Sequence, residues 1–467
     1  MKGSDMFEKS VYIQRRKLLQ NQIGKGIVLF LGNDESPMNY PANTYPFRQD
    51  SSFLYFWGLD FPGLAAVIDI DQDEDIVFGH DCTLDDIIWM GPQEILSAKA
   101  RKVGVRFSEP LEKLEPKLKK AVRQKRAIHF LPQYRSNNML KIERLTGIPS
   151  STVNTMASKA LIKAVVAQRS VKSDEEIMQI EETLTISYEM NRLAMKISRP
   201  GLHEWEVAGE VEGRVLSSGS AVPFPVIFTI HGEILHGHSH TNIMKDGDLL
   251  VLDSGAESPL HYASDITRTF PVSGKFSVLQ KDIYAIVLAA NERAIEMIRP
   301  TIPYRDVHLR AAKVVAEGMK QLGFMKGNTE DAVSAGAHAM FFPHGVGHHM
   351  GLDVHDMENL GEDFVGYNEE FKRSDQFGLA YLRLAKRLQP GYVVTVEPGI
   401  YFMPELIAQW KTQKKWKEFI NFEKVEAHKS FGGVRIEDDI VVTKDGHRVL
   451  GKPIAKSVAD VEAWCSG

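Results

Sequence analysis

Short apolar runs alternate with charged, helix-favouring stretches over the first third of the chain. Residues 26–31 (GIVLFL) and 65–70 (AAVIDI) have the continuous apolar character of buried strands, and residues 127–131 (AIHFL) predict another. Residues 111–126 are rich in Lys, Glu and Leu, which is typical of an exposed helix. Strands that alternate with helices predict an α/β domain in this part of the chain.

A capping-box pattern predicts a long helix that begins near residue 174. Ser173 can cap the helix, Glu176 stands three positions later, and apolar residues then recur at helical spacing until Pro200-Gly201. No Gly/Pro-rich linker precedes it. We therefore place the domain boundary just before this helix, which gives residues 1–165 and 166–467 as two domains.

Two further strands are predicted at residues 249–256 and 263–272, joined by a Ser-Pro-Leu turn. If the strands are adjacent, Asp253 and Asp265 reach one surface, and Thr267 shares the face of Asp265 because side chains alternate along a strand. Taken alone, Asp253 is better explained as a residue that ends a strand at a turn, and only the other motifs described below reverse that interpretation.

Composition narrows the function classes. The chain has 467 residues, enough for two or three domains with full hydrophobic cores. Its 56 Lys and Arg against 61 Asp and Glu give a formal net charge of −5, which does not favour nucleic acid or an anionic membrane as a partner. Two cysteines, Cys82 and Cys465, indicate a reducing compartment. The first residues show no secretory pattern and no apolar run is long enough to span a membrane, so we expect a cytoplasmic protein.

Five residues of the second half stand in short motifs with metal-binding chemistry. They are Asp253 (LLVLDSGAE), Asp265 (YASDITRTF), His348 (HGVGHHMGLDVHD), Glu397 (VVTVEPGIYF) and Glu437 (GGVRIEDDIVVT). Four carboxylates and one imidazole suit a pair of hard or borderline divalent cations. Without metal the negative charges would repel one another and raise their pKa values. Two dications would balance these charges and leave room for a bridging hydroxide, which predicts a hydrolase.

In order and in neighbouring residues, the five motifs resemble those of the pita-bread metallopeptidases, and among them aminopeptidase P and prolidase. This resemblance runs from about Arg169 to the end of the chain. A weaker one covers residues 15–18 (RRKL), 48–56 (RQDSSFLYF) and 88–91 (IWMG), and is closer to aminopeptidase P than to prolidase. It implies a chain of α/β and α+β class, with an N-terminal α/β domain followed by a C-terminal pita-bread catalytic domain.

The resemblance also implies roles for the five residues. Asp265 and Glu437 would bridge two metal ions, Asp253 would chelate one of them, and His348 and Glu397 would be terminal ligands of the other. Glu397 would in addition shuttle a proton from the nucleophile to the departing nitrogen. Mn²⁺ is the expected metal because carboxylates outnumber imidazole, with Co²⁺ and Zn²⁺ as alternatives.

Histidines outside the ligand set form two clusters. His236, His238 and His240 alternate, so they could project from one strand face like a zinc-site triplet, or lie in a loop. Of these three, the resemblance gives a role only to His236. In the second cluster (His344, His348 and His355), His355 would stabilise the tetrahedral oxyanion together with His236, and His344 would line the substrate pocket. His349 has no family role and is expected to be structural or exposed.

Arg435 stands two residues before Glu437, on the same face of a predicted strand. It could orient a metal-bound carboxylate or contact substrate; the alternative is a surface salt bridge. Asp438 is expected to face away. Trp89 resembles an aromatic residue that aminopeptidase P brings to the pocket of a neighbouring subunit, although a core position is the alternative.

Two segments depart from the family pattern, residues 357–387 and residues 404–431. Charged residues are spread along the first of them, for which we expect a helix. Either could narrow the pocket entrance or build an oligomer contact.

The function that this sequence favours is that of an Xaa-Pro aminopeptidase. Such an enzyme uses a metal-bridging hydroxide to cut the bond between an N-terminal residue and a following proline, in peptides with a free N-terminus. The alternatives are a prolidase, restricted to Xaa-Pro dipeptides, and a metal-free binding protein on the same fold, which the presence of all five ligands disfavours. Family precedent implies a homodimer or homotetramer.

Overall fold

The computed structural model describes residues 6–466, which fall into two compact units. The first comprises the residues up to 169 together with 357–364, and the second comprises residues 170–356 and those from 365 onward. The helix Lys159–Ser170 runs through the segment in which we placed the linker. The two-domain division at residues 165 and 166 stays a prediction.

The first unit is built on a five-stranded mixed sheet with helices around it. Its strands are β1 (Ile27–Leu31), β2 (Pro37–Tyr40), β3 (Asn43–Thr44), β4 (Ala65–Asp69), β5 (Glu74–Gly79), β6 (Phe107–Pro110) and β7 (Ile128–His129). Its helices are α1 (Lys9–Ile23), α2 (Ser51–Trp57), α3 (Leu84–Met90), α4 (Leu96–Lys102), α5 (Leu114–Arg123), α6 (Ser136–Thr146), α7 (Val153–Met156) and α8 (Lys159–Ser170).

The order of the main sheet is β6-β5-β4-β1-β7, in which the outer pairs β5–β6 and β1–β7 are parallel and the inner pairs antiparallel. Strands β1 and β4 are buried along their whole length, as their continuous apolar runs predict. Helix α5 buries Leu114, Leu118 and Ala121 on one face and leaves its charges outside. The predicted α/β domain is confirmed.

Helix α3 does not follow this pattern of apolar burial, because none of its residues is buried. The side chain of Trp89 is 85% exposed, and Leu84, Ile88 and Met90 are also exposed. The core position that we considered for Trp89 is therefore wrong. The helix is held at its start by a capping box between Thr83 and Asp86 rather than by packing.

The second unit combines three small antiparallel sheets with long helices. The strands are β8 (Ile227–Thr229), β9 (Leu249–Ser254), β10 (Ile266–Pro271), β11 (Val393–Val396), β12 (Gly399–Tyr401), β13 (Gly433–Arg435), β14 (Asp438–Val442) and β15 (His447–Val449). Helices after residue 170 are α9 (Asp174–Ile197), α10 (Glu204–Ser217), α11 (Val278–Ile295), α12 (Tyr304–Gln321), α13 (Thr329–Ala335), α14 (Glu362–Val365), α15 (Pro404–Thr412), α16 (Phe422–Ala427) and α17 (Val458–Ser466).

Helices α9 to α12 cover these sheets and share one large apolar core with them. The sheets have the orders β10-β9-β8, β11-β14-β15 and β12-β13. The capping box of Ser173 and Glu176 is present at the start of α9, as predicted. Within residues 6–466, no helix combines the length and the apolar character needed to cross a bilayer.

The helix expected over residues 357–387 is wrong, since this segment holds only α14 and short 3-10 turns at Glu358–Leu360 and Leu379–Tyr381. A close backbone approach explains the difference. The backbone N–H groups of Ala385 and Lys386 donate to the carbonyl of Gly366, and a Cβ on Gly366 would lie only 1.8 Å from the carbonyl oxygen of Arg383. A small local core (Tyr367, Phe371, Leu382, Ala385) then fixes this looped path.

Candidate metal centre

The two aspartates of the motif set lie at the same end of the β9–β10 ribbon. Asp253 is opposite Thr267 in the antiparallel register, and Asp265 immediately precedes β10. Both side chains line one pocket of about 350 Å³. The two strands are adjacent, as predicted, because their apolar side chains pack into the shared core while the aspartates stand at the strand ends.

The two glutamates lie where the chain passes between two other antiparallel strand pairs, β11–β14 and β12–β13. Glu397 lies between β11 and β12, and Glu437 lies between β13 and β14, which pair with them. The backbone N–H of Glu437 donates to the carbonyl of Thr267 at 3.0 Å, and that of Glu397 donates to the carbonyl of Val346 at 2.8 Å. The first bond holds Glu437 beside β10, and the second holds Glu397 beside the loop that carries His348.

Three of the five predicted ligands form the tightest group. Asp265, His348 and Glu437 are buried, and one ligand atom from each lies within 4.8 Å of the others. The Nε2 of His348 is 3.5 Å from a carboxylate oxygen of Asp265 and 3.7 Å from one of Glu397. Glu397 and Asp253 line the same pocket outside this group. Residues separated by up to 184 positions in the sequence thus converge on one buried site.

Electrostatics make this group costly without a cation. Burial raises the pKa of Asp265 well above its ordinary value, and the neighbouring carboxylates of Glu437 and Asp253 raise it further. Burial likewise raises the pKa of Glu437, with Glu397 and Asp253 adding to the effect. Burial also raises the pKa of Glu397, from an ordinary value of 4.5 to about 7.

Unsatisfied oxygen atoms show that the residues fit divalent cations. Asp253 Oδ1, Asp265 Oδ1 and Glu437 Oε1 are buried, and none of them accepts a hydrogen bond from any residue in the range 6–466. Buried acceptors of this kind need an explanation, and hard carboxylate oxygens are the ligands that Mn²⁺, Mg²⁺ and Ca²⁺ prefer. Two of the partner oxygens are occupied: Glu437 Oε2 accepts from the Thr267 hydroxyl at 2.7 Å, and Asp253 Oδ2 accepts from Arg435 at 2.6 Å. Thr267, which strand alternation placed on the face of Asp265, contacts the neighbouring carboxylate of Glu437.

Arg435 organises one wall of the pocket. Its guanidinium donates to Asp253 at 2.6 Å, to the Tyr401 hydroxyl at 3.2 Å and, through Nε, to the Thr267 hydroxyl at 3.2 Å. With 4% of its surface exposed, it is not the surface salt bridge that we considered as an alternative. The planar fork of an arginine can hold these partners together, which a lysine could not do.

A hydroxyl links Arg435 to His344. The Nδ1 of His344 is 2.8 Å from the carbonyl oxygen of Gly345, so it carries the proton, and Nε2 accepts from the Tyr401 hydroxyl at 2.8 Å. Burial, reinforced by Arg435, lowers the pKa of His344 to about 3, which keeps the ring neutral. Burial raises the pKa of Tyr401 to about 12. The sequence analysis missed Tyr401, although Glu397 lies two residues before β12 and alternation along the extended chain would have placed Tyr401 on the same side as Glu397.

The other predicted histidines divide between pocket and scaffold. His355 lines the pocket, and its ring centroid is 4.4 Å from that of His348. His236 also lines the pocket, and burial lowers its pKa. Its segment is a loop rather than a strand, so His236, His238 and His240 do not form the triplet face that we considered; His240 bonds the Val226 carbonyl instead. His349 is buried against Tyr392, in line with a structural role.

The two aspartates after Glu437 have different environments. Asp438 faces away from the pocket, as predicted, and contacts Arg268 at 2.7 Å and Lys456 at 2.8 Å. Burial alone would raise the pKa of Asp438, but these two cations hold it at about 2. Asp439, which the sequence analysis did not single out, accepts the backbone N–H of Asp265 at 3.1 Å. It therefore fixes the start of β10.

A buried ion pair just before α9 is another contact that the sequence analysis missed. Lys172 forms an ion pair with Asp356 at 2.9 Å, and both side chains are 1% exposed. The backbone N–H of Asp356 donates to the carbonyl of His349, so the pair closes the loop that carries His348 and His355. Only the fold brings these residues together, because 184 positions separate Lys172 from Asp356.

Comparisons with known proteins show which families and structures the chain is similar to. Residues 178–444 match metallopeptidase family M24, and residues 12–129 match the N-terminal domain of aminopeptidase P. The chain is 31% identical to human Xaa-Pro dipeptidase over 95% of its own length and 89% of the relative. It is 29% identical to the Xaa-Pro aminopeptidase of Escherichia coli K12 over 96% of each chain. The solved structure of Pseudomonas aeruginosa aminopeptidase PepP superposes with a TM-score of 0.82, at 28% identity over 99% of each chain.

Proposed function

The chain belongs to metallopeptidase family M24, and from that premise we propose that it is a dinuclear-metal Xaa-Pro aminopeptidase. The observation that carries the proposal is the convergence of the five predicted ligands in one pocket of about 350 Å³ with three buried carboxylate oxygens left without donors. Relatives of nearly equal length that carry the names Xaa-Pro aminopeptidase and Xaa-Pro dipeptidase support it.

In this proposal the five side chains hold two cations. Asp265 and Glu437 would contribute to both cation sites, Asp253 to one of them, and His348 and Glu397 to the other. Mn²⁺ is the proposed metal, because oxygen ligands dominate the set, and Co²⁺ and Zn²⁺ are the alternatives. When bound, such a pair supplies hydroxide near neutral pH and polarises the scissile carbonyl.

The protein's own groups then handle the protons and the charge. The proline nitrogen, like any amide nitrogen, must receive a proton in order to leave as an amine. Glu397 lines the pocket and is the group that takes a proton from the attacking water and gives it to this nitrogen. His236 and His355 line the pocket and stabilise the oxyanion. Arg435 and His344, joined through Tyr401, hold Asp253 and the pocket wall in place.

One observation favours a second candidate, an Xaa-Pro dipeptidase. Arg383 lines the same pocket, and a guanidinium there could receive the C-terminal carboxylate of a dipeptide. In a longer peptide that carboxylate lies further from proline. An aminopeptidase therefore tolerates the loss of Arg383 better than a dipeptidase does.

Peptide length separates the two candidates. Metal-stripped protein resupplied with Mn²⁺ is given Ala-Pro and Ala-Pro-Ala, and products are followed by mass spectrometry. We expect alanine to be released from the tripeptide, and Arg383→Ala to reduce kcat/KM for the dipeptide more than for the tripeptide. Turnover of Ala-Pro alone would establish the dipeptidase instead. No turnover of either peptide would leave a metal-free binding protein as the function.

We also propose that the exposed helix α3 is covered by a second copy of the chain, in a homodimer or homotetramer. Five large apolar side chains on one short helix form a patch that a monomer would leave in water (Leu84, Ile87, Ile88, Trp89, Met90). Light scattering after gel filtration should give a multiple of 52.5 kDa for the wild type. Trp89→Asp should shift it toward the monomer, with Tyr134→Asp, an exposed aromatic elsewhere, as the control. A monomeric wild type would refute the proposal.

Both cysteines are free thiols, which supports the proposed cytoplasmic location.

A further inference from the structure

The two segments that depart from the family pattern meet at the substrate pocket. From residues 357–387, Phe377 and Tyr381 line the pocket, and Met403, the residue just before the other segment, joins them. We call these three residues, two aromatic side chains and one methionine, the aromatic rim. The ring of Phe377 lies 5.8 Å from that of Tyr381 and 5.7 Å from that of Trp410 on α15.

Packing behind the rim holds it in place. Trp410 is 2% exposed and so forms a buried backing for Phe377. The ammonium of Lys415 lies 4.4 Å from the centre of the Trp410 ring. This cation–π contact joins two residues of the segment 404–431 and helps to hold the Trp410 side chain in position. Next to Tyr381, the Cα of Leu382 would be only 3.0 Å from a Cβ on Gly345, so the rim lies directly against the His344 loop.

Exposure places the rim at the mouth of the pocket. Tyr381 is 58% exposed, whereas Asp265 and His348 are 5% and 4% exposed. The ligand set therefore forms the floor, where the cut bond and the N-terminal residue must lie. Proline follows directly, and the residue after proline is the first whose side chain reaches the mouth.

We propose that the aromatic rim is the binding site for a large apolar side chain at the third position of the substrate, directly after proline. The proposal rests on the proposed aminopeptidase function and deepens it, because it selects Xaa-Pro-Yaa peptides in which Yaa is Phe or Leu. Aromatic ring faces and a methionine side chain offer uncharged, polarisable surface that attracts apolar groups. A substrate side chain that packs there also covers the exposed ring of Tyr381.

Matched tripeptides test the rim. The measured quantity is the ratio of kcat/KM for Ala-Pro-Phe to that for Ala-Pro-Gly, so that a general change of activity cancels. With Mn²⁺-loaded wild type we expect a ratio of about ten, a typical discrimination for one apolar group in an apolar site. Phe377→Ala and Tyr381→Ala should each bring the ratio down toward one. Tyr381→Phe keeps the ring and should keep the ratio.

Trp205→Ala is the matched control, because Trp205 is an exposed aromatic residue of the same unit that stacks on His203 and does not line the pocket. Its ratio should equal that of the wild type. A wild-type ratio near one, or a high ratio that survives both alanine substitutions in the rim, would overturn the rim proposal while leaving the aminopeptidase intact. Turnover of Ala-Pro with none of either tripeptide would overturn both proposals.

Discussion

Glu397→Gln should stabilise the metal-free protein at pH 8 relative to the wild type. The reason lies in the environment of the carboxyl group, whose pKa is raised by burial, with a further contribution from Asp253. Without a cation, the wild type must either keep a proton on Glu397 or hold a negative charge in a buried pocket. Glutamine has the same shape and never carries that charge.

The magnitude follows from the pKa of Glu397, about 7 in the fold against an ordinary value of 4.5. A raised pKa in the fold favours the neutral form, so this contribution to stability is fully present below pH 4.5 and is lost as the pH rises through 7. At about 1.4 kcal/mol per pH unit, the difference corresponds to about 3 kcal/mol in the free energy of unfolding. Most of that change falls between pH 5 and pH 8.

Urea unfolding of the chelator-treated proteins, followed by tryptophan fluorescence at pH 5, 6.5 and 8, measures this effect. The free-energy difference between Glu397→Gln and wild type should grow by about 2–3 kcal/mol in favour of the variant from pH 5 to pH 8. Glu405→Gln, an exposed carboxylate of the same unit, should show no such trend. Saturating Mn²⁺ should reverse the order, since the wild type binds it more tightly. Parallel pH profiles of variant and wild type would refute the reasoning.

Three other contacts give sharp expectations. Thr267→Val removes the hydroxyl that donates to Glu437, so Mn²⁺ affinity measured by calorimetry should fall about tenfold or more. Arg435→Lys cannot reproduce the three-way fork of the guanidinium, so kcat on Ala-Pro-Ala should fall about a hundredfold. Lys172→Met removes the cation that pairs with the buried carboxylate of Asp356, so urea unfolding should report a loss of about 3–5 kcal/mol, with Lys172→Arg recovering part of it.

Each of these expectations has its own contradicting result. Wild-type Mn²⁺ affinity in Thr267→Val would mean that the hydroxyl does not orient Glu437; Thr155→Val, at an exposed position in the first unit, is the control. Full activity of Arg435→Lys would show that the positive charge alone is needed at this position, and not the three hydrogen bonds of the guanidinium. A Lys172→Met variant as stable as the wild type would show that Asp356 takes up a proton at no cost.

Local pattern was sufficient wherever one physical requirement dominated a short segment. The continuous apolar runs of β1 and β4 had to be buried, and the Ser173 capping box had to begin a helix, so both were predictable. The ligand motifs were recognised through their resemblance to the family, because an aspartate that ends a strand at a turn is ordinary when taken alone. That all five line one pocket is a property of the fold, and the resemblance to the family supplied that expectation.

Long-range contacts explain what the sequence did not reveal. The helix expected within residues 357–387 was wrong because the close approach of Gly366 to Arg383 and a local apolar core determine the path of the chain. The Lys172 to Asp356 pair joins residues 184 positions apart, beyond the reach of any local pattern. The exposure of Trp89 could not be read from a helix whose apolar composition is typical of a core.

Metal titration of the metal-free protein with Ala-Pro-Ala as substrate tests the central claim most directly. Mn²⁺ is added in known amounts while mass spectrometry follows the products and calorimetry counts the bound ions. The account predicts two ions per chain, with alanine and Pro-Ala as the products and no activity before metal is added. Cleavage that does not depend on added metal, release of Ala-Pro instead of alanine, or failure to bind Mn²⁺ would contradict it.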